Sequence, residues 1–194
     1  MEREVLMAGI GGQGVQLAAG ILAEAATREG RHVLSLGTYG GTMRGGNTDA
    51  TVVVADRPVV SPPVVSRCWA ALVMHPRFAA PTCEKLTPSS LVLLDSDVFA
   101  TAGVELELRG AARIDLAAQA LAREADAPRA AALVLLGALC SATGLVPLDA
   151  LVDAMTALVP SYRQEHVEAN TRALTVGHAS IAPARTQAWE EAAA

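Results

Sequence analysis

The chain predicts an α/β fold: a Rossmann-like, open, mainly parallel sheet with flanking helices and a small β-hairpin insertion. Three observations carry this. Continuous apolar runs recur at Val5 to Ala8, Ala70 to Met74 and Leu91 to Leu94, as expected of strands covered on both faces. Helical patterns follow the strands, most clearly in the last third of the chain. The first apolar run passes through Gly9-Ile10-Gly11-Gly12-Gln13-Gly14 directly into a helical pattern, the strand, glycine turn and helix that open a mononucleotide-binding unit.

The elements follow in order. Val15, Leu17, Ala18, Ile21, Leu22 and Ala25 give the first helix its apolar face. Val33 to Leu36 is the second strand. Gly37 to Asn47 holds five glycines in eleven residues, which regular structure accommodates only at a cost, so it reads as a shaped loop at the carboxyl end of that strand. Thr48 to Ala55 is a strand, Asp56-Arg57-Pro58 a turn, and Val59-Val60 the return of a hairpin. Pro62-Pro63 reads as the start of a short helix. After the two buried strands, Glu105 to Leu108 and Arg113 to Asp115 alternate as a short strand pair. Helices follow at Leu116 to Ala125, Arg129 to Thr143, Leu148 to Leu158 and about Glu165 to Val176. The organisation is a single domain over residues 1–178 and an alanine-rich tail, expected to fray, over 179–194.

Composition limits the class of function. Of 194 residues, 52% are apolar and 18% charged, enough for a large core. A mean hydropathy of +0.33 calls for surface hidden in an assembly or a membrane. The longest uncharged stretch, Ala130 to Leu148, is broken by Gly144 and Pro147. The remaining helix of about 14 residues is about 21 Å long, short of the roughly 30 Å of a bilayer core. The charged start Met1-Glu2-Arg3-Glu4 is no secretory signal, so the cytoplasm is expected. A net charge of -5 argues against nucleic acid as a partner. Cys68, Cys83 and Cys140 are isolated, without the spacing of a zinc or iron–sulfur site, and read as small apolar fillers.

The chemistry-bearing residues are few. Gly9, Gly11 and Gly14 satisfy G-x-G-x-x-G, whose glycines let backbone N–H groups approach a phosphate at a helix start. The carboxylate that would hold a ribose is missing from Val33 to Thr38, and no Gly-Lys-Ser/Thr makes a P-loop. Three uses of the turn stay open: tight packing alone, a phosphate-bearing ligand, or the docking of a subunit. Arg44, embedded in glycine, suits a phosphate or carboxylate, or a salt bridge across a subunit interface. Tyr39 flanks the same loop. His75 follows a strand, as a loop or cap histidine or as a ligand contact; His32 lies at the other edge. Asp95 and Asp97 serve a cation or ribose, or cap the next turn. No nucleophile–base pair and no metal cluster can be named.

Several strings taken together carry a resemblance: Gly9-Ile-Gly-Gly-Gln-Gly-Val15, Tyr39-Gly-x-x-Met-Arg-Gly-Gly46, Ser61-Pro62, Leu91-Val-Leu-Leu-Asp95-Ser96, Leu136-Gly137-Ala138 and Glu168-Ala-Asn170. Over residues 4–178 the chain resembles the gamma subunit of the 2-oxoacid:ferredoxin oxidoreductases, the pyruvate, 2-oxoglutarate, 2-oxoisovalerate, indolepyruvate and phenylglyoxylate group. The resemblance implies a complex that oxidatively decarboxylates a 2-oxoacid and passes the acyl group to coenzyme A. Alpha and beta subunits would bind thiamine diphosphate with magnesium, and a further subunit the iron–sulfur clusters. This chain would hold no cofactor alone but pack on the catalytic core and help enclose coenzyme A. Its expected cofactor-facing residues are Gly9, Gly11, Gly12, Gln13, Gly14, Tyr39, Arg44, Gly45 and Gly46. One departure is that Gly40-Gly41-Thr42 follows Tyr39 where many relatives carry Gly-Pro-Glu. A stand-alone Rossmann-like nucleotide-binding oxidoreductase and a purely structural subunit are the other two readings.

Overall fold

A computed structural model describes residues 1–41, 45–60, 64–182 and 187–189. Strands β1 (Glu2–Ile10), β2 (His32–Tyr39), β3 (Asn47–Ala55), β4 (Ala70–Val73), β5 (Leu91–Asp95) and β6 (Ala112–Leu116) form one sheet in the order β2-β3-β1-β4-β5-β6. β1, β4, β5 and β6 pair in parallel, while β3 runs antiparallel to both neighbours. The helices are α1 (Val15–Arg28), α2 (Ala80–Cys83), α3 (Ser96–Ala102), α4 (Ala118–Glu124), α5 (Ala131–Thr143), α6 (Leu148–Leu158) and α7 (Val167–Ala179), with 3-10 turns at Pro76–Phe78 and Ser161–His166. The fold is the expected mainly parallel α/β sheet with flanking helices.

Each face of the sheet has its own core. Val5, Met7, Val52, Val54, Leu72 and Leu93 pack with α1, α4, α5, α6 and α7. Leu6, Ala71, Val73, Val92 and Leu94 pack on the opposite face with Cys83 of α2, Phe99 of α3 and Leu86. β4 and β5 are buried along their whole length, which is why their sequences are unbroken apolar runs. α5 is buried almost all round; Leu133, Leu135, Leu136 and Leu139 each contribute about 1.5–3 kcal/mol by leaving water. It ends, as the sequence requires, on Gly144 at φ 63°. No described helix is long and apolar enough to cross a membrane.

Four details differ from the sequence expectation. The hairpin is β2–β3, not β3 with Val59-Val60. Both edges of β3 are already taken, by β1 and β2, so no edge is left for a returning strand. Gly37, Thr38 and Tyr39 belong to β2 rather than to the loop. At Gly37 the amide end of the Gln16 side chain lies over the strand, in the space a Cβ would take. Glu105 to Leu108 forms no strand; Leu106 and Leu108 instead cover the second core. The tail does not simply fray: the Ala188 N–H donates to Thr143 O at 2.7 Å, Trp189 Nε1 to Leu145 O at 2.9 Å, and Arg31 stacks over the Trp189 ring at 3.9 Å. The short helix expected at Pro62-Pro63 lies outside the described residues.

Candidate functional site

In an open α/β sheet, ligands sit outside the carboxyl ends of the strands where the chain's direction of travel across the sheet reverses. Here that point lies between β1 and β4. From β1 the chain crosses through α1 to β2 on one side; β4 starts the run to β5 and β6 on the other. The glycine turn follows β1 at this point, and Met74-His75-Pro76 follows β4.

The turn is organised by its own side chain. Gln13 folds back so that Oε1 accepts the Ile10 N–H at 2.9 Å and Nε2 donates to Met74 O at 3.2 Å. This occupies the space beside Gly9, where a Cβ would come within 2.7 Å of Oε1. Gly12 and Gly14 adopt φ 104° and 84°, the left-handed region that other residues avoid. Gly14 leads into α1, and no side chain caps that helix. The first-turn amides therefore carry the positive end of a fourteen-residue helix dipole. Since Gln13 fills the inside of the turn, its accessible part is the outer face at exposed Gly12, with no atom of the described residues within 4 Å of a Cβ position.

The second glycine segment is stitched to the first. Gly11 N–H donates to Gly46 O at 2.8 Å, and Gly45 N–H to Gly11 O at 3.3 Å, prolonging the β1–β3 ladder past Ile10↔Asn47. Tyr39 ends β2 opposite Thr48, which in turn stands opposite Gly9. The fold thus brings Gly9, Gly11, Gly12, Gln13, Gly14, Gly45 and Gly46 together, with Tyr39 two strands away and exposed. Arg44 lies outside the described residues. Sequence reasoning did not single out Asn47 and Asp49, which adjoin this seam. Asn47 donates to the Asp49 carboxylate, while its own Oδ1 is buried without a hydrogen-bond partner among the described residues. Burial raises the Asp49 pKa, against the pull of the Asn47 hydrogen bond.

The other candidates have structural partners. His75 Nδ1 accepts the Arg77 N–H at 3.1 Å, capping the 3-10 turn; burial, then Arg77, lowers its pKa. Asp97 Oδ2 accepts the Ala120 N–H at 2.8 Å, so this carboxylate serves the first turn of α4. Asp95 is 1% exposed, at the carboxyl end of β5. Burial pushes its pKa up to about 6, with Asp97 adding repulsion, although the N–H groups of Gln119, Asp97 and Ala118 oppose the shift. Its Oδ1 has no hydrogen-bond partner among the described residues. Cys68, Cys83 and Cys140 are free and buried. Among the described residues no three His, Cys, Asp or Glu gather as metal ligands. A hollow of about 410 Å³ lies elsewhere, between α3 and β6, with Phe99, Val104 and Arg113 in its wall.

Among the described residues the site thus offers backbone amides and a helix end but no acid–base pair. Residues 4–180 match the family described as pyruvate ferredoxin/flavodoxin oxidoreductase. The 2-oxoglutarate synthase subunit KorC of Archaeoglobus fulgidus is 31% identical over 180 residues, 91% of this chain and 88% of that protein. The crystal structure of the keto/oxoacid ferredoxin oxidoreductase gamma subunit from Geobacter sulfurreducens superposes with a TM-score of 0.75 at 27% identity, covering 91% of this chain and 96% of that one. The 2-oxoglutarate:ferredoxin oxidoreductase from Magnetococcus marinus, solved with 2-oxoglutarate, coenzyme A and succinyl-CoA, shares the fold with a TM-score of 0.80 at 17% identity. That match covers 96% of this chain but 32% of the longer one. The chain belongs to the pyruvate ferredoxin/flavodoxin oxidoreductase family, as the gamma subunit of a 2-oxoacid:ferredoxin oxidoreductase complex.

Proposed function

We propose that this subunit packs on the thiamine-binding core of its complex and helps enclose coenzyme A, the acceptor whose thiol takes the acyl group left after a 2-oxoacid is oxidatively decarboxylated. Thiamine diphosphate with magnesium and the iron–sulfur clusters belong to alpha, beta and iron–sulfur partner subunits. The three cysteines of this chain are free and spent on its two cores, Cys68 and Cys83 on one face of the sheet and Cys140 on the other. The residues that would face coenzyme A are Gly11, Gly12 and Gly14 through backbone amides, with Gln13 holding the turn, Gly9, Gly45 and Gly46 beside it, Tyr39 at the rim, and Arg44, outside the described residues, as the cationic side chain. An anionic phosphate is the group that this backbone favours.

The observation that carries the reading is the joining of the two glycine segments outside the β1/β4 switch point, beside an uncapped helix start. A second reading, a turn that serves packing alone, draws on Gln13 filling the turn's interior. Titrating the intact complex with coenzyme A separates the two. An Arg44→Ala complex is expected to show a raised KM for coenzyme A with its KM for the 2-oxoacid unchanged; an unaltered coenzyme A KM there overturns the assignment of Arg44. Purified under oxygen-free conditions, the complex is expected to contain thiamine diphosphate and iron–sulfur subunits. Turnover by the isolated chain would overturn the proposal altogether.

A further inference from the structure

The β4 side of the switch point carries side-chain donors that the glycine turn does not use. Met74 N–H donates to Ala8 O at 2.8 Å, which carries the β1–β4 ladder one residue past Val73. Met74 O accepts from Gln13 Nε2 at 3.2 Å. His75 is therefore the residue after a carbonyl held by the turn. Proline at position 76 keeps the residue before it out of the helical region, and His75 is extended, at φ -155° and ψ 133°. The 3-10 turn Pro76–Phe78 then packs against β1, and Ala79 anchors its far end in the second core.

This backbone fixes the proton on His75. Nδ1 accepts the Arg77 N–H at 3.1 Å, so the neutral ring carries its hydrogen on Nε2. Charging the ring would put a second proton on Nδ1 and break that cap; burial, and then the Arg77 guanidinium, also oppose the charge. Half-buried His75 thus keeps one N–H donor, at Nε2, with no acceptor among the described residues. Arg77 is exposed, with its guanidinium over the Phe78 ring at 5.1 Å. The ring steadies the cation without neutralising it. No carboxylate of the described residues pairs with Arg77. Asp95 and Asp97, which end and follow the neighbouring strand β5, are committed to the first turn of α4.

We propose that His75 Nε2–H and the Arg77 guanidinium contact a phosphate of coenzyme A, as the β4-side counterpart of the glycine turn. The proposal deepens, and rests on, the reading of that turn as part of a coenzyme A site. A planar guanidinium beside a neutral N–H donor suits a group with several anionic oxygens. Coenzyme A brings several phosphates, whereas the 2-oxoacid brings one carboxylate, so the two anions of the reaction are told apart by measuring both.

The oxygen-free complex is titrated calorimetrically with coenzyme A in the absence of the 2-oxoacid, so that no turnover enters the reading. Arg77→Ala is expected to raise the Kd about tenfold or more, and Arg77→Lys to recover part of the loss by restoring the charge without the fork. His75→Asn keeps an acceptor for the Arg77 N–H but lacks the Nε2–H, and should raise the Kd about fivefold. The Tm of Arg77→Ala should match wild type, since the side chain is exposed. Arg57→Ala is the control: it removes an exposed arginine just past Ala55, which pairs with Glu2 at the other end of β1, and should leave the Kd unchanged. Equal weakening by Arg57→Ala overturns the proposal, because the effect would then be one of overall charge. An unaltered coenzyme A Kd in Arg77→Ala and His75→Asn overturns it too; a raised KM for the 2-oxoacid in the same variants would assign the pair to the substrate carboxylate. Gly12→Asp separates the two levels of failure. If it weakens coenzyme A while Arg77→Ala and His75→Asn do not, the turn keeps its ligand and the β4 side is no part of the site; if none of the three does, the reading of the turn fails as well.

Discussion

Gln13 and Met74 are joined across the open end of the sheet: Nε2 of Gln13 donates to the Met74 carbonyl at 3.2 Å while its Oε1 accepts the Ile10 N–H at 2.9 Å. One side chain thus satisfies backbone groups beyond two neighbouring parallel strands. Gln13→Ala leaves both groups unpaired and is expected to cost about 1–3 kcal/mol in denaturant unfolding of the isolated chain. Gln13→Glu keeps the acceptor but turns a carboxylate oxygen toward the Met74 carbonyl. It should match the alanine variant at pH 7 and recover as pH falls and the carboxyl gains a proton to donate. Unaltered stability in both variants would mean that the turn holds its shape without this side chain.

Two glycines set the distance between α5 and α7, and a third serves as their control. A Cβ on Gly177 would lie 2.0 Å from Val134 O, and one on Gly137 would lie 2.2 Å from Leu174 O. These atoms are backbone, so relief requires the helices to separate. Gly177→Ala and Gly137→Ala should each cost about 3 kcal/mol or more, although alanine is the better helix former. Gly20 sits inside α1, where a Cβ meets only Leu158 Cδ1 at 3.8 Å. Gly20→Ala should therefore stabilise by up to about 1 kcal/mol. Thermal unfolding of the three variants reads both signs, and a stable Gly177→Ala chain would contradict the close packing.

The same residues show how far the sequence could be read. β4, β5 and α5 were legible because burial on all sides makes them continuous apolar runs, and Gly144 marks the end of α5. The turn from Gly9 to Gly14 was legible because its spacing has a backbone cause. Gly37 was misread as loop: it lies in β2 beneath the Gln16 side chain, 21 positions earlier, and such a contact leaves no local pattern. Pairing partners were equally hidden. Val59-Val60 and Glu105 to Leu108 have strand-like composition, yet β3 has no free edge and Leu106 and Leu108 are used to cover a core. Of the site, the glycines were visible, whereas the meeting of residues 45–46 with residue 11 depends on an antiparallel register that only the fold supplies. The dual role of Gln13 was hidden for the same reason.

Asp95 gives the chain a pH dependence of stability with a definite sign. Its pKa lies at about 6 in the fold against an ordinary 3.8, so the folded form holds its proton more tightly than the unfolded chain. The stabilising contribution is full below the unfolded pKa and is lost as pH rises through the folded one, that is, from about pH 4 to about pH 6. Asp95→Asn removes the buried charge and keeps an acceptor for the surrounding N–H groups. It should raise stability at pH 8 by up to about 3 kcal/mol, with the advantage vanishing toward pH 4. Chemical denaturation at pH 4, 6 and 8 measures this, and an advantage constant across the three would assign the effect to packing instead of charge.

Gly12 separates the ligand-facing use of the turn from its packing use. Its φ of 104° strains any side chain, yet the space beside it is open. Gly12→Ala and Gly12→Asp should therefore lose similar stability through the backbone alone, of the order of 1–2 kcal/mol. They differ in what they present outward. The carboxylate of Gly12→Asp would stand beside the amides proposed to meet a phosphate, and like charges brought together there cost several kcal/mol. In the assembled complex the KM for coenzyme A should rise at least about tenfold more in Gly12→Asp than in Gly12→Ala, while the KM for the 2-oxoacid stays level in both. Added salt should narrow the gap, because screening weakens repulsion between exposed charges. Were the two variants to show the same coenzyme A KM at every ionic strength, the outer face of the turn would touch no anion, and packing of β1 against α1 would account for its glycines.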